Sequence, residues 1–243
     1  PFAFLGLHQQ VDEKGKATGY VFRAFLPYAT ALSIETKNGW EDAKKVNEQG
    51  FFEWQGKSTI NTPCKIRITQ HGQTFETHDV YSFAPMLTSD ELHLFGEGNL
   101  KQAYKTMGAQ LCVHQGVSGV RFCVWAPNAE RVSVVGDFNQ WDGRINPMRI
   151  HGSSGVWEVF IPNLTTDTLY KFEIRQRHTG NILVKTDPYG FSFEARPGTA
   201  AKVTALNQHV WRDDDWLKKR GNAEWLHAPF NCYEVHLGSW KRN

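Results

Sequence analysis

Long hydrophobic runs are missing from these 243 residues. No apolar stretch approaches the roughly 18 residues that cross a bilayer, and no charged, apolar, small-residue leader opens the chain. A soluble, cytoplasmic protein without a membrane partner is expected. Charge of one sign is also missing: 27 basic against 25 acidic side chains leave a formal net charge of +2. Balanced, interspersed charge gives no electrostatic footprint for nucleic acid or an anionic surface, so a neutral ligand fits better. Cysteine is scarce. Cys64, Cys112, Cys123 and Cys232 form no C-x-x-C pair and have no spacing that a zinc site or disulfide framework requires, so reduced thiols and no metal are expected. There is no G-x-S-x-G elbow, P-loop, dinucleotide fingerprint or H-E-x-x-H pair, which removes the common nucleophilic and phosphate chemistries. An initiator Met is absent as well, and a chain starting at Pro1 reads as a cut fragment. Aromatics, in contrast, are plentiful: 9 Trp, 16 Phe and 7 Tyr.

Two halves of the chain lie over each other at a spacing of about one hundred residues. Gly19 to Pro27 (GYVFRAFLP) sits above Gly119 to Pro127 (GVRFCVWAP), and both read as a strand closed by proline. Ala29, Leu32 and Ile34 fall over Ala129, Val132 and Val134, keeping the period-2 alternation of a half-buried second strand. Further on, Lys65-Ile66-Arg67-Ile68 mirrors Lys171-Phe172-Glu173-Ile174, and Asp79-Val80-Tyr81 mirrors Asp187-Pro188-Tyr189. Each unit consists of short strands between Gly, Pro, Asn and Asp clusters, the pattern of an immunoglobulin-like β-sandwich of about 100 residues. Phe22, Phe25, Phe122, Trp125, Trp157 and Phe172 are expected to fill the two cores. The predicted fold is all-β: two tandem sandwiches, residues 1–87 and 114–205, with helical connectors at 88–113 and 206–230.

In the first connector, Thr88 and Glu91 have the spacing of a capping box, and Asn99 to Met107 is expected to form a second short helix stopped by Gly108. In the second, Asp213-Asp214-Asp215 heads a predicted helix that ends on Lys218-Lys219-Arg220. This charge order is the one that the helix dipole favours, so the acids are not read as a metal site. Near the end, Glu234 and His236 share one face of a predicted strand, Tyr233 to Trp240. Without a third partner the pair is read as structural.

One stretch has the makings of a binding surface. Gly136-Asp137-Phe138-Asn139-Gln140-Trp141-Asp142-Gly143 mixes turn formers with two aromatics after a predicted strand. A Trp face complements the apolar face of a pyranose, and neighbouring amides satisfy its hydroxyls. Spacing alone leaves open whether Phe138 and Trp141 do this or cap the sandwich core.

These residues resemble a known family. The runs Phe122 to Ala129, Val134 to Gly143, Gly155-Val156-Trp157-Glu158, Leu169 to Glu173 and Lys185 to Tyr189 are similar to the family-48 carbohydrate-binding module, which precedes the α-amylase-type barrel in glycogen-processing enzymes. Tyr233 to Trp240 (YEVHLGSW) resembles the first barrel strand of 1,4-α-glucan branching enzymes, which makes 231–243 a predicted stub of a (β/α)8 barrel. Residues 1–87 resemble the extra N-terminal domain of the longer bacterial members.

That resemblance implies a region of an enzyme that cleaves an α-1,4 link and transfers the freed glucan to a 6-hydroxyl, without any cofactor. It implies α-glucan and the enzyme's own barrel as partners. The double displacement needs two carboxylates roughly 5 Å apart at the ends of barrel strands, so none of this chain's acids is assigned as catalytic and the fragment itself is expected to be inactive. In related glycogen-binding modules the Trp of F-N-x-W and the Lys of Y-K-F contact sugar. Trp141 and Lys171 hold those positions, and Asn139 is taken as a third carbohydrate-binding residue. A second stacking Trp of that group is replaced by Val184. Two alternatives stand beside glucan binding: sandwiches that act only as structure and set transferred chain length, or the start of a related debranching or trehalose-releasing enzyme.

Overall fold

A computed structural model describes residues 1–57, 60–206 and 208–240, and divides them into two units, Pro1–Ala205 and Leu206–Asn243. The first sandwich holds β1 (Gly6–Val11), β2 (Ala17–Phe25), β3 (Ala29–Thr36), β4 (Gly39–Asp42), β5 (Lys44–Lys45), β6 (Phe51–Gly56), β7 (Lys65–Gln70) and β8 (Gln73–His78). Its sheets run β1-β2-β6-β5 and β4-β3-β7-β8, all antiparallel. The second holds β9 (Gly108–His114), β10 (Val117–Trp125), β11 (Ala129–Val135), β12 (Arg149–Ile150), β13 (Val156–Pro162), β14 (Leu169–Gln176), β15 (Ile182–Lys185), β16 (Ser192–Phe193) and β17 (Ala201–Lys202). Here the sheets are β12-β13-β10-β9 and β11-β14-β17-β16, with β15 also on β14. The fold is all-β.

The repeat extends to single hydrogen bonds. β3 and β11 each carry a bulge after their first residue, between Ala29 and Ala31 and between Ala129 and Arg131. The Leu26 N–H donates to Gly50 at 2.7 Å and the Ala126 N–H to Gly155 at 2.8 Å, closing the same corner after β2 and after β10. Inward-facing Phe22, Leu32, Ile34, Phe52 and Ile66 make one core, and Val120, Phe122, Val132, Val134 and Phe172 the other.

Two aromatics depart from the expected core. Trp125 is 55% exposed and Phe25 is half-buried. Both follow directly on an inward-facing residue, Ala24 or Val124, so the period-2 alternation turns them to the outer face of their sheet. Residues 120–124, Arg121 included, are buried on both faces of β10 because the first connector covers its outer side. There Leu87, Met107, Cys123 and Val156 form a third cluster. α1 (Ser89–Gly96) starts with the expected capping box: the Glu91 N–H donates to the Thr88 hydroxyl and the Thr88 N–H to the Glu91 carboxylate. The second helix expected at 99–107 is reduced to a single 3-10 turn, Ala103–Lys105, because Met107 and the backbone carbonyls of Lys105 and Thr106 are drawn onto Arg121 and the β10 face. Gly108 opens β9 instead of stopping a helix.

In the second unit, α2 (Asp214–Gly221) has acids in its first turn and Lys218, Lys219 and Arg220 in its last. The strand expected from Tyr233 to Trp240 is not formed. A short helix, α3 (Leu237–Trp240), occupies its end, and His236 bonds Ser239 within the same turn. A barrel strand takes its backbone partners from neighbouring strands, and no strand pairs with this segment among the described residues. No described helix is long and apolar enough to cross a membrane.

The duplicated Asp-x-Tyr corners differ in one atom group. Asp187 is buried, and its Oδ2 accepts a 2.6 Å hydrogen bond from the buried Tyr170 hydroxyl. At the matching place in the first sandwich, Cys64 replaces Tyr170, and Asp79 Oδ2 is buried without a partner. Both carboxylates sit behind a glycine at φ near +80°, Gly6 (+88°) or Gly108 (+78°), where a Cβ would stand 3.2 Å from the Oδ2. Burial pushes the Asp79 carboxyl up to about 7, against the ordinary value of about 4, with only the Tyr81 and Ser82 N–H groups favouring the charge. The sign follows: folding favours the protonated form, so this residue's contribution is complete below about pH 4 and lost as pH rises through about 7. The Asp79→Asn variant is therefore expected to gain thermal stability relative to the native chain between pH 5 and pH 8. Parallel melting curves across that range contradict the assignment.

Candidate carbohydrate-binding turn

The turn Gly136 to Gly143 leaves the end of β11 and passes through two consecutive non-glycine residues in the left-handed region, Gln140 at φ 56° and Trp141 at φ 60°. Such backbone persists only where its surroundings over-determine it. Here the Trp141 N–H donates to the Gly136 carbonyl at 2.9 Å, and Asn139 fills the space beneath. Asn139 is 4% exposed. Its Oδ1 accepts from the Gly136 N–H at 3.0 Å, while its Nδ2 donates to the Val134 carbonyl and to Asn146 Oδ1, both at 2.8 Å. The side chain, expected to contact sugar, is buried here with both of its amide atoms paired inside the turn. Buried amides keep their hydrogen bonds because an unpaired one costs about 1–3 kcal/mol.

Trp141 projects outward and is 38% exposed. Its indole N–H donates to Asp137 Oδ1 at 2.8 Å, which fixes the ring's polar edge and leaves ring surface for a ligand. Lys171 lies opposite Val135, one residue before the turn, between inward-facing Tyr170 and Phe172. It therefore stands on the outer face of the sheet, where its Nζ donates to the Thr199 hydroxyl at 2.6 Å. The turn folds toward that face, because a Cβ on Gly143 would meet the Glu173 carboxylate at 2.1 Å. Val184, at the place of the missing platform, pairs with Glu173 across β14 and β15 and is 52% exposed. Directly opposed residues share a face, so Val184 looks out on the same side as Glu173.

The first sandwich also holds the turn, which the sequence did not show. The Tyr28 hydroxyl donates to Asp142 Oδ2 at 3.0 Å, Gln140 Nε2 bonds the His71 ring at 3.1 Å, and the Tyr81 hydroxyl donates to the Ile145 carbonyl at 2.9 Å. Arg144 clamps the Asp142 carboxylate through both oxygens. Its hydrogen bonds, more than that of Tyr28, hold the Asp142 carboxyl down at about 2, so the clamp is ionised at any ordinary pH. Trp125 is a further exposed indole, with its N–H donating to the Ser154 carbonyl at 3.2 Å. Among the described residues no group of three or more His, Cys, Asp or Glu is arranged to hold a metal ion.

Residues 106–190 match the family of carbohydrate-binding module 48 (isoamylase N-terminal domain). Residues 1–81 match the N-terminal domain of α-1,4-glucan branching enzymes. The chain matches the N-terminal region of the 1,4-α-glucan branching enzyme family. A branching enzyme of Methylobacillus flagellatus is 60% identical over 243 residues, which are 100% of this chain and 33% of that protein. The branching enzyme of Nitrosospira multiformis is 48% identical over 248 residues, 100% of this chain and 32% of the relative. That of Pseudomonas aeruginosa is 45% identical over 246 residues, 99% and 32%. The chain therefore spans about a third of the length of the branching enzymes it matches. Among solved structures, a maltose complex of the type I pullulanase of Bacillus subtilis aligns with 79% of this chain and 26% of its own, at 15% identity and a TM-score of 0.37.

The two inner and outer members of the turn separate experimentally. Asn139→Ala leaves three buried backbone and amide groups unpaired and is expected to lower stability by about 2–3 kcal/mol. Trp141→Ala, which removes an exposed ring, is expected to cost less than about 1 kcal/mol. Urea midpoints of the two variants check this, and equal losses contradict the division of roles.

Proposed function

We propose that this chain serves a cytoplasmic 1,4-α-glucan branching enzyme as its non-catalytic N-terminal region, and that the second sandwich holds α-glucan on Trp141. In the whole enzyme an α-1,4-linked segment is cut and passed to a 6-hydroxyl, and the barrel of that enzyme is the region's second partner. The observation that carries the reading is the indole of Trp141, raised on a strained turn and pinned at its N–H edge. A pyranose has an apolar face for such a ring, and Lys171 on the adjoining strand supplies a donor for a hydroxyl. Because one platform is replaced by Val184, single-site affinity is weak. Retention of long glucan then comes from many weak contacts along one polymer, whose effective concentration at the surface is high.

Val184 also favours a second reading, in which both sandwiches only support the barrel and set the length of chain transferred. Affinity electrophoresis in glycogen-containing gels distinguishes the two. The native chain is expected to be retarded and Trp141→Ala to be retarded markedly less. Unretarded migration of the native chain supports the scaffold reading and overturns ours.

The lost platform makes a gain-of-function prediction. Val184→Trp adds a ring on the face that Glu173 shares with the turn, and stacking is worth roughly 0.5–1.5 kcal/mol, so glycogen affinity is expected to rise about two- to tenfold. Isothermal titration with maltoheptaose measures it, and an unchanged affinity shows that the two positions do not serve one sugar chain.

A further inference from the structure

The two sandwiches do not close flush against each other inside the Pro1–Ala205 unit. Between them lies a cleft of about 380 Å³, walled on one side by β2, β7 and β8 with the chain after β8, and on the other by the turn 137–140 and the end of β13 with the two residues after it, 161–164. That volume lies within the roughly 300–1,000 Å³ of small-ligand sites. Its apolar surface includes the rings of Phe25, Phe75 and Phe138; its polar groups include Gln70, Thr77 and Asn163. Phe75, Gln140 and Asn163 are exposed at the rim.

The chemistry of the walls selects the occupant. No lysine, arginine or glutamate lines the cleft among the described residues, and burial holds His78, which does line it, toward its neutral form, so a phosphate or carboxylate is poorly served. Of the two aspartates on the wall, Asp79 is buried and held toward its neutral form, and Asp137 already accepts the Trp141 indole N–H. A cation is therefore poorly served. An aliphatic chain would cover the amides of Gln70 and Asn163 without pairing them. The Gln70 side chain is half-buried and makes no hydrogen bond with any described residue, and Asn163 uses its Nδ2 on the Thr77 hydroxyl at 3.0 Å, which leaves its Oδ1 for a ligand. Aromatic rings alternating with uncharged amides and hydroxyls match a molecule with apolar faces and a hydroxyl rim.

We infer that this cleft is a second carbohydrate site, which takes a short neutral segment of α-glucan between the two sandwiches, separate from the surface of Trp141. The inference rests on the reading that this region binds glucan, and adds where and by which residues. Asp137 joins the two places: it lines the cleft and fixes the Trp141 ring. The site belongs to neither sandwich alone. It exists only where the Tyr28–Asp142 and Tyr81–Ile145 hydrogen bonds hold the two together.

The test is a titration of the ¹⁵N-labelled 243-residue chain with maltose, repeated on Trp141→Ala, on Gln70→Trp, which plugs the cleft, and on Phe75→Ala, which removes an exposed wall. The expected result is saturable shifts at Gln70, Thr77 and Asn163 in the native chain and in Trp141→Ala. Gln70→Trp is expected to lose them while remaining retarded by glycogen through Trp141. Should that variant not fold, Phe75→Ala is expected to weaken the same shifts at least threefold. Shifts confined to residues around Trp141, or cleft shifts that vanish in Trp141→Ala, overturn the inference and leave the Trp141 reading standing. Cleft shifts together with unchanged retardation of Trp141→Ala overturn that reading instead, and no shifts anywhere overturn both.

Discussion

The side-chain amide of Asn139 carries more of this structure than its size suggests. Buried under the turn after β11, it ties the turn's first residue to its own strand and to Asn146, and so allows Gln140 and Trp141 to remain in the left-handed region. Without those bonds the backbone has no reason to stay in a conformation that bulky residues avoid. The direction of the Trp141 ring, its bond to Asp137 and the placing of Asp142 beside Tyr28 all follow from that one buried group. An exposed aromatic becomes a platform only when something inside the protein fixes its angle.

The duplication gives this arrangement a second support. Both sandwiches fold through matching strands with the same bulge and the same proline corner, and the Tyr28 and Tyr81 hydroxyls bond the first to the second. Tyr28, just beyond the corner of the first copy, reaches the turn that follows the corresponding corner region of the second. Repetition has not been costless. Where the second copy satisfies Asp187 with Tyr170, the first has kept the buried carboxylate and put Cys64 in place of its donor. The thiol is itself pushed up to about 12 by burial, with Asp79 adding to the shift, so it stays protonated and serves as a small apolar filler. A carboxylate held this way is a local weakness of the first sandwich, next to the Tyr81 bond that joins the two.

Much of this was legible from residue order. The period-2 alternation and the matched Pro, Gly and Asp-x-Tyr positions give two similar β-units, and the Thr88–Glu91 capping box is local chemistry that needs no tertiary context. The turn around Trp141 was also visible, because its glycines, amides and aromatics are adjacent. What stayed hidden depends on contacts between distant residues. Asn139 reads as a sugar ligand in a sequence and as a buried brace in the fold, since burial is not written in the residue itself. Trp125 reads as core by its size and apolar ring, but it shares the outer face of β10 with Cys123, opposite to Phe122 and Val124. The reach of Tyr28 to Asp142 spans 114 residues, and no local pattern announces it. The failed strand at Tyr233 to Trp240 belongs to the same class, because strand formation depends on a partner that only tertiary context supplies.

The most direct test of the account is a crystal structure of this chain with maltoheptaose. The account predicts a glucose ring stacked on the outward face of Trp141, the indole N–H still on Asp137, and the Asn139 amide unmoved beneath the turn. A Trp141 ring left bare while sugar is bound elsewhere on the chain, or an Asn139 side chain swung outward onto a sugar hydroxyl, would contradict it.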